Sequence, residues 1–221
     1  MPNYIRNRLT IRGRSAEVFA FIRGNGTDID FNKIIPMPES LNIEDSSTGD
    51  DGMKYLYLRA TSLSFQQREF KEIEKRLVAQ GRFDNAIELG KKYLINIANT
   101  GHKTWYSWSA ENWGTKWNAL EPRIVSDICI EFDTAWSGIV KLIERLSTNF
   151  PDVVFEYKYS DEDTGCNCGA GTITNGVSSM VYPENQSREA YELAFDLRPD
   201  DAKYYHLENG NYSYIEEEES C

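Results

Sequence analysis

The middle of the 221-residue chain holds four of its five tryptophans within thirteen residues. Trp105 and Trp108 are three residues apart and share one face if this segment is helical. Trp113 and Trp117 flank Lys116, so two rings and a cation could stack a base or bind a nucleotide. Clustered tryptophans also pack into protein cores. The sequence therefore leaves two interpretations open: a ligand site, or rings that fix a helical segment to a sheet.

Two arginines, Arg6 and Arg8, lie on one side of the first predicted strand, where they could meet RNA. RNA-recognition modules stack bases on aromatic side chains of their central strands. Here the outward positions of the predicted strands carry charges of both signs: Arg6, Arg8, Glu131, Asp133, Glu156 and Lys158. This pattern favours cross-strand ion pairs over RNA binding.

Acidic residues are concentrated in the last third of the chain. Residues 1–150 contain 20 basic and 19 acidic side chains, whereas residues 151–221 contain 4 and 16. The excess negative charge argues against nonspecific DNA binding, because phosphate contacts need Lys and Arg. It could present charge to a basic channel of a partner protein, although acidic tails also simply solubilise. The candidate partner-binding acids are Asp161, Glu162, Asp163, Asp200, Asp201, Glu216, Glu217, Glu218 and Glu219.

Residue spacing predicts no catalytic residue, no metal site and no cofactor. Cys166 and Cys168 are separated by one residue, whereas structural zinc sites have four ligands and a wider gap between cysteines. The segment Gly114-Thr115-Lys116 lacks the earlier glycine of a phosphate-binding loop. An enzyme would require His102 or His206 to lie in a cleft with a carboxylate.

The elements that position these residues follow from hydrophobic periodicity. Residues 4–11 alternate between apolar and polar, which predicts a strand, and residues 43–53 have the composition of an exposed loop. Helical periodicity appears at residues 15–22, 70–81, 84–101, 139–146 and 187–197, and alternation returns at residues 128–133 and 153–159. This order predicts an α+β fold: a ferredoxin-like split βαβ antiparallel sheet with helices on one side, and a large helical insertion between the first helix and the second strand.

The order of the predicted elements also predicts the domain organisation of the chain. We expect a single domain over residues 1–199, with the helical insertion at about 40–122, and an acidic polar tail at 200–221. No apolar run reaches the roughly 18–20 residues of a membrane helix, and the N-terminus lacks a signal peptide's apolar core. We therefore expect no membrane contact and a cytoplasmic location.

Several segments are distinctive: Asn7–Ile11, Asp30–Pro38, Trp113–Ala119 and Phe132–Trp136. Over about residues 2–160 they resemble the YubB/Api92-like ferredoxin-like family. The resemblance implies the same fold and an origin in phages, plasmids or integrated elements. It implies no established activity and transfers no catalytic residue. Residues from about 161 onward depart from the family pattern.

These observations lead to two function hypotheses. The first is a non-enzymatic factor that binds a host or element protein through an acidic surface, for example as a counter-defence inhibitor. The alternative is a protein that binds or sequesters a nucleotide or short nucleic acid with the aromatic segment from Trp105 to Trp117. The burial of the rings separates them, because rings exposed around a cavity favour ligand binding and rings packed on the sheet favour the first hypothesis.

Overall fold

The computed structural model describes residues 3–61 and 67–215. Its contacts divide the chain into two compact units. The sheet unit consists of Met1–Pro36 and Ala110–Cys221, and the helical unit consists of Met37–Ser109. The elements in chain order are β1 (Tyr4–Arg12), α1 (Ser15–Ile22), α2 (Ser47–Thr61), α3 (Gln67–Ala79), α4 (Phe83–Thr100), α5 (Trp105–Asn112), β2 (Leu120–Ser126), β3 (Cys129–Ala135), α6 (Val140–Thr148), β4 (Val154–Asp161), β5 (Gly169–Thr174), β6 (Val177–Val181), α7 (Arg188–Leu197), β7 (Tyr205–Glu208) and β8 (Asn211–Tyr214).

The sheet unit is built on six antiparallel strands in the order β2-β3-β1-β4-β5-β6. Strand β1 lies in the middle and pairs with β3 and β4, from Tyr4 opposite Ala135 to Arg12 opposite Val154. The order of β1 to β4, with α1 and α6 as the connecting helices, is that of the ferredoxin-like split βαβ fold. The predicted fold class is therefore confirmed, and the β5–β6 hairpin extends the sheet beyond β4.

One face of this sheet is the main apolar core. The alternation in β1 buries Ile5, Leu9 and Ile11 completely, because successive side chains of a strand point to opposite faces. Helix α6 buries Leu142 and Ile143 as an amphipathic stripe. The apolar side chains of β1 and those of α6 are thus buried in the same core.

The opposite face of the sheet is polar and carries α7, so the expectation of helices on one side only is wrong. Asp196 in α7 accepts hydrogen bonds from Arg8 and Lys158, which project from the polar face of β1 and β4. Ser187 caps the helix by accepting a hydrogen bond from the backbone of Ala190. The polar face of the sheet thus binds α7 through ion pairs between its basic side chains and Asp196.

The segment expected to be a polar tail contains the β7–β8 hairpin. The hairpin packs on α7 through aromatic pairs, with ring centroids 5.0 Å apart for Phe195 and Tyr212 and 5.3 Å apart for Tyr191 and Tyr205. The expectation of one domain over residues 1–199 stays a prediction. No helix in the described ranges is both long and apolar enough to cross a membrane.

The helical unit contains α2, α3 and α4, packed around Tyr55, Leu58, Ile73, Leu77 and Ala86. Residues 47–53 belong to α2, so the prediction of an exposed loop over 43–53 is wrong there. The polar, glycine-rich composition has a packing role, since a Cβ at Gly52 would lie 1.7 Å from the backbone oxygen of Ala86. A Cβ at Gly90 would lie 2.4 Å from the carbonyl carbon of Gly52. The two glycines therefore let the backbones of α2 and α4 touch.

Candidate functional site

The four tryptophans of the segment 105–117 are divided between the two units. The boundary between the units falls inside α5, so Trp105 and Trp108 belong to the helical unit and Trp113 and Trp117 to the sheet unit. Trp108 is 6% exposed, and Trp105 is half-buried with its ring 5.6 Å from that of Tyr106. The segment thus supplies two tryptophan rings to each unit.

Trp113 is a core residue of the sheet unit. It is 4% exposed, and its indole N–H donates to the carbonyl oxygen of Ile35 at 2.9 Å. Its ring meets Phe31 edge-on with centroids 5.8 Å apart, and Phe31 in turn packs on Phe132. For this ring the structure supports the packing interpretation.

Lys116 and Trp117 form a different arrangement, which includes a third residue that the sequence did not single out as a site. The Lys116 ammonium lies 4.6 Å from the ring centroid of Trp117 and 5.0 Å from that of Trp136. Trp136 is 43% exposed and directly follows β3. Two indoles therefore contact one cation at the surface of the sheet unit, and we call Trp117 and Trp136 the indole pair.

Trp136 adopts a left-handed backbone conformation with φ of 72°. This region is rare for residues other than glycine and unusual for a bulky side chain, at a cost of about 1–2 kcal/mol. Both backbone polar groups of Trp136 have partners: the N–H donates to Asn3 at 2.9 Å, and the carbonyl accepts from the Asn167 amide at 3.1 Å. The conformation is held by dedicated contacts.

Asp161 joins the two residues that hold Trp136. Its carboxylate accepts from the Asn3 amide at 3.0 Å, from the Asn167 amide at 3.3 Å and from the backbone N–H of Asp163 at 3.0 Å. Asp161 is 6% exposed. A buried carboxylate occupied by three donors presents little charge at the surface, so Asp161 is less suited to bind a partner than the exposed acids are.

A cavity of about 330 Å³ lies at the same end of the sheet, lined by Tyr4, Leu120, Glu121 and Asp133. The strand register places it there: Tyr4 pairs with Ala135, the residue before Trp136, and Leu120 pairs with Asp133. Two of its four lining residues are carboxylates, and Glu121 is exposed. The cavity is therefore partly apolar and negatively charged.

The charges on the polar face of the sheet are matched across strands, as the sequence predicted. Arg6 binds Asp133 at 2.6 Å, and Arg8 binds Glu131 at 2.8 Å. Glu131 also accepts from Arg123 at 2.6 Å. Burial alone would raise the pKa of Glu131, but the hydrogen bonds from the two arginines outweigh it and hold the pKa below its usual range. Arg6 and Arg8 thus have carboxylate partners within the fold, which supports the ion-pair interpretation.

The remaining acidic residues surround α7. Glu162, Asp163 and Asp200 are exposed and Asp201 is half-buried, whereas Glu216 to Glu219 lie outside the described residues. The four basic residues of 151–215 are engaged locally: Lys158 with Asp196, Arg188 with Glu192, Arg198 with the Tyr4 carbonyl, and Lys203 over the Tyr204 ring. Within residues 3–61 and 67–215, no ion pair forms with Glu162, Asp163, Glu184, Glu189, Asp200 or Asp201. We call these six residues the α7 acidic surface.

Each histidine contacts a polar side chain that is close to it in the sequence. His102 contacts the Ser107 hydroxyl at 3.1 Å, and His206 contacts Glu208 at 3.3 Å on the exposed hairpin. Cys168 is buried, which raises its pKa to about 11 and keeps it a neutral thiol at neutral pH. In the described part of the chain, no group of three or more His, Cys, Asp or Glu side chains could hold a metal ion.

Comparison with known proteins agrees with the topology of the sheet unit. Residues 112–208 match the family model of the ferredoxin-like domain in Api92-like protein. The match begins at the last residue of α5 and ends at the last residue of β7. Among solved structures, the chain resembles a crystal structure of protein api92 from Yersinia pseudotuberculosis, with 12% identity and a TM-score of 0.35 over 83% of this chain and 99% of that one. No curated protein sequence matches the chain.

Proposed function

We propose that this protein is a non-enzymatic binding factor that engages a basic partner protein through the α7 acidic surface. The observation that carries the proposal is the set of six carboxylates around α7 that form no ion pair in the described structure, while nearby basic side chains are engaged elsewhere. Unpaired exposed carboxylates attract a basic surface and accelerate its association.

These carboxylates come from three parts of the chain and lie at the two ends of α7. The loop after β4 is joined to the start of α7, because Gln186 donates to the Gly165 carbonyl at 2.7 Å and Asn167 donates to the Asn185 side chain at 3.1 Å. Glu162, Asp163, Glu184 and Glu189 therefore lie near this junction, and Asp200 and Asp201 follow the other end of the helix. The position of α7 thus determines where these carboxylates lie.

The distribution of charge over the units supports the same proposal. Residues 37–109 carry 10 basic and 10 acidic side chains, whereas the rest of the chain carries 14 and 25. The whole net charge of −11 belongs to the sheet unit. A partner attracted by charge is therefore directed to that unit.

The biological setting is part of the proposal and rests on the resemblance to Api92-like proteins. We propose a protein of phage or mobile-element origin that acts in the cytoplasm on a host or element protein, for instance as a counter-defence inhibitor. Mimicry of a nucleic-acid backbone by the α7 acidic surface would suit a partner with a basic binding channel.

The alternative of nucleotide binding by the whole segment from Trp105 to Trp117 has less support. Trp108 and Trp113 are buried, and Trp113 uses its indole N–H on the backbone of Ile35. Glu121 and Asp133, at the same end of the sheet as the indole pair, would also disfavour a nucleotide phosphate there. Only Trp117 of the sheet-unit rings in that segment is placed to contact a ligand.

Charge reversal tests the proposed function. We expect the unmodified protein to capture specific host proteins from lysate at 50 mM salt, and the triple variant Glu162→Lys, Asp163→Lys, Glu189→Lys to lose them. Mass spectrometry identifies the captured proteins, and 300 mM salt should reduce capture because surface charges are screened.

The matched control reverses three exposed acids elsewhere: Glu39→Lys, Glu44→Lys and Asp127→Lys. It changes the net charge by the same amount, so it should retain the partner if the position of the charges matters. Equal capture by the two triple variants, or no protein captured above background by the unmodified chain, would contradict the proposal.

A further inference from the structure

We infer that the indole pair, Trp117 and Trp136, is a binding site for an organic cation, filled by Lys116 in the free protein and open to a lysine or arginine side chain of the partner. The identity of the partner as a basic protein rests on the proposed function. The capacity of the site to bind an ammonium or guanidinium group rests on the geometry of the indole pair alone.

The indole pair already holds a cation, the ammonium group of Lys116. The Lys116 ammonium lies 4.6 Å and 5.0 Å from the two ring centroids, within the 6 Å at which a cation is attracted to an aromatic face. Indole has the strongest attraction for cations among the aromatic side chains. The two rings are thus arranged around a positive group, and Lys116 shows the chemistry that they select.

The indole pair is accessible to solvent. Trp136 exposes 43% of its surface, and Trp117 is half-buried. An incoming side chain can therefore reach the indole pair from the solvent. Lys116 is carried on a flexible four-carbon stem, so its ammonium can move while its backbone stays in place.

Carboxylates lie at the end of the sheet where the indole pair is found. Glu121 and Asp133 line the cavity at the same end of the sheet, and Asp133 is already matched by Arg6. Glu121 is exposed and forms no ion pair in the described residues, so it adds negative charge at this end of the sheet. This environment favours a cation over a phosphate-bearing ligand.

Trp136 is held in a left-handed backbone conformation that is unfavourable for a bulky residue. Asn3, Asn167 and Asp161 form a network around its backbone, as described above. Strained residues persist only where the surroundings maintain them, and they cluster at ligand sites. The network holds the backbone of Trp136, whose ring contacts the Lys116 ammonium, as the ring of Trp117 also does.

An internal occupant has a measurable consequence. Lys116 competes with any external cation, so the apparent affinity is lowered by the fraction of time that the indole pair is filled. Removing the ammonium should therefore strengthen the binding of an external cation, which is the opposite of what loss of a binding residue does.

The experiment uses the full chain and three small probes: Nα-acetyl-lysinamide, its Nε-trimethyl derivative, and the neutral carbon analogue of that derivative. Binding is followed by the indole N–H signals of the tryptophans in NMR spectra. We expect the two cationic probes to shift the signals of Trp117 and Trp136 and the neutral analogue to leave them unchanged.

The decisive variant is Lys116→Met, which should bind the trimethyl probe about tenfold more tightly than the unmodified chain. Lys141→Met is the matched control, since Lys141 is an exposed lysine on α6, and it should leave the affinity unchanged. Trp136→Gly should abolish binding while relieving the left-handed strain, so it is expected to fold. Trp117→Leu provides a second loss variant, and Trp105→Leu its control.

Unchanged or weaker binding in Lys116→Met would overturn the inference, as would equal binding of the neutral analogue. The outcome is distinguishable from that of the proposed function. If the triple variant of the α7 acidic surface loses the partner but the cationic probes leave the Trp117 and Trp136 signals unchanged, the binding factor stands and the cation site fails. If the probes bind but the triple variant retains its captured proteins, the cation site stands and the proposed function fails.

Discussion

Glu131 is 4% exposed and accepts hydrogen bonds from two arginines on neighbouring strands, Arg8 and Arg123. Replacing it with Gln removes the charge but keeps the shape, and leaves the guanidinium groups short of one acceptor. We expect Glu131→Gln to lower the free energy of unfolding by about 1–3 kcal/mol at pH 7. Urea denaturation measures the difference.

The pH dependence of this effect follows from the lowered pKa of Glu131. A carboxylate with a lowered folded-state pKa stabilises the fold above its unfolded pKa of about 4.3, and this contribution is lost as the pH falls further. The difference between the unmodified chain and Glu131→Gln should therefore be largest near neutral pH and shrink below about pH 4. A constant difference from pH 7 to pH 3 would contradict the prediction.

Glu156→Gln is the matched control, because Glu156 also pairs with an arginine on the same sheet face. Its side chain is 41% exposed and that of Arg12 is 54% exposed. Exposed pairs of this kind contribute about 0–1 kcal/mol. The control should lose clearly less stability than Glu131→Gln.

At the residue scale, the sequence predicts what depends on alternation and misses what depends on backbone conformation. The period of two placed Arg6 opposite Asp133 and Arg8 opposite Glu131, so the ion pairs were predictable. The role of Trp136 was not, because its left-handed backbone and its contact with Lys116, twenty residues away, leave no periodic trace. The Phe132–Trp136 motif signalled only that an aromatic residue follows the strand.

At the scale of elements, the contact between α2 and α4 depends on two glycines. We expect Gly52→Ala to destabilise the helical unit by about 1–3 kcal/mol or more, because the added methyl group would overlap the backbone of Ala86. Elsewhere in a helix the same change is stabilising, since Ala has the higher helix propensity. The sign of the effect therefore reports the contact.

Hydrogen exchange on the full chain measures this prediction residue by residue. Protection of backbone amides in α2 and α4 should fall in Gly52→Ala, and amides of β1, β3 and β4 serve as the internal reference. Unchanged or higher protection in α2 would show that the two backbones do not touch at Gly52.

The segment 43–53 shows why composition misleads at this scale. Gly, Ser and Asp are typical of loops, and the sequence carries no apolar stripe before Tyr55. In the structure Gly49 and Gly52 are buried in α2, where the absence of a side chain is what the packing uses. By contrast, α4 and α6 have regular apolar stripes and were predicted close to their observed bounds.

At the scale of the whole molecule, the four consecutive glutamates Glu216 to Glu219 contribute more than a third of the net charge of −11. We expect the change of all four to Gln to slow association with the captured partner several-fold at 50 mM salt, because long-range attraction sets the rate of encounter. Surface plasmon resonance at two salt concentrations measures the association rate.

The slowing should disappear at 300 mM salt, where the screening length is short. We expect the free energy of unfolding to stay within about 0.5 kcal/mol of that of the unmodified chain. An association rate that is unchanged at both salt concentrations would show that these glutamates serve solubility alone.

The sheet unit is assembled from two separated stretches of chain, with the helical unit between them. The central strand β1 ends at Arg12, whereas β3 begins at Cys129 and β4 ends at Asp161. At about 5–20 residues per second, the ribosome delivers the first partner of β1 some 6–25 seconds after β1 itself. During that interval both edges of β1 lack their partner strands, and only α1 is available to pack on the strand. We expect the nascent chain to need a holding chaperone at this strand, while the contiguous helical unit folds first.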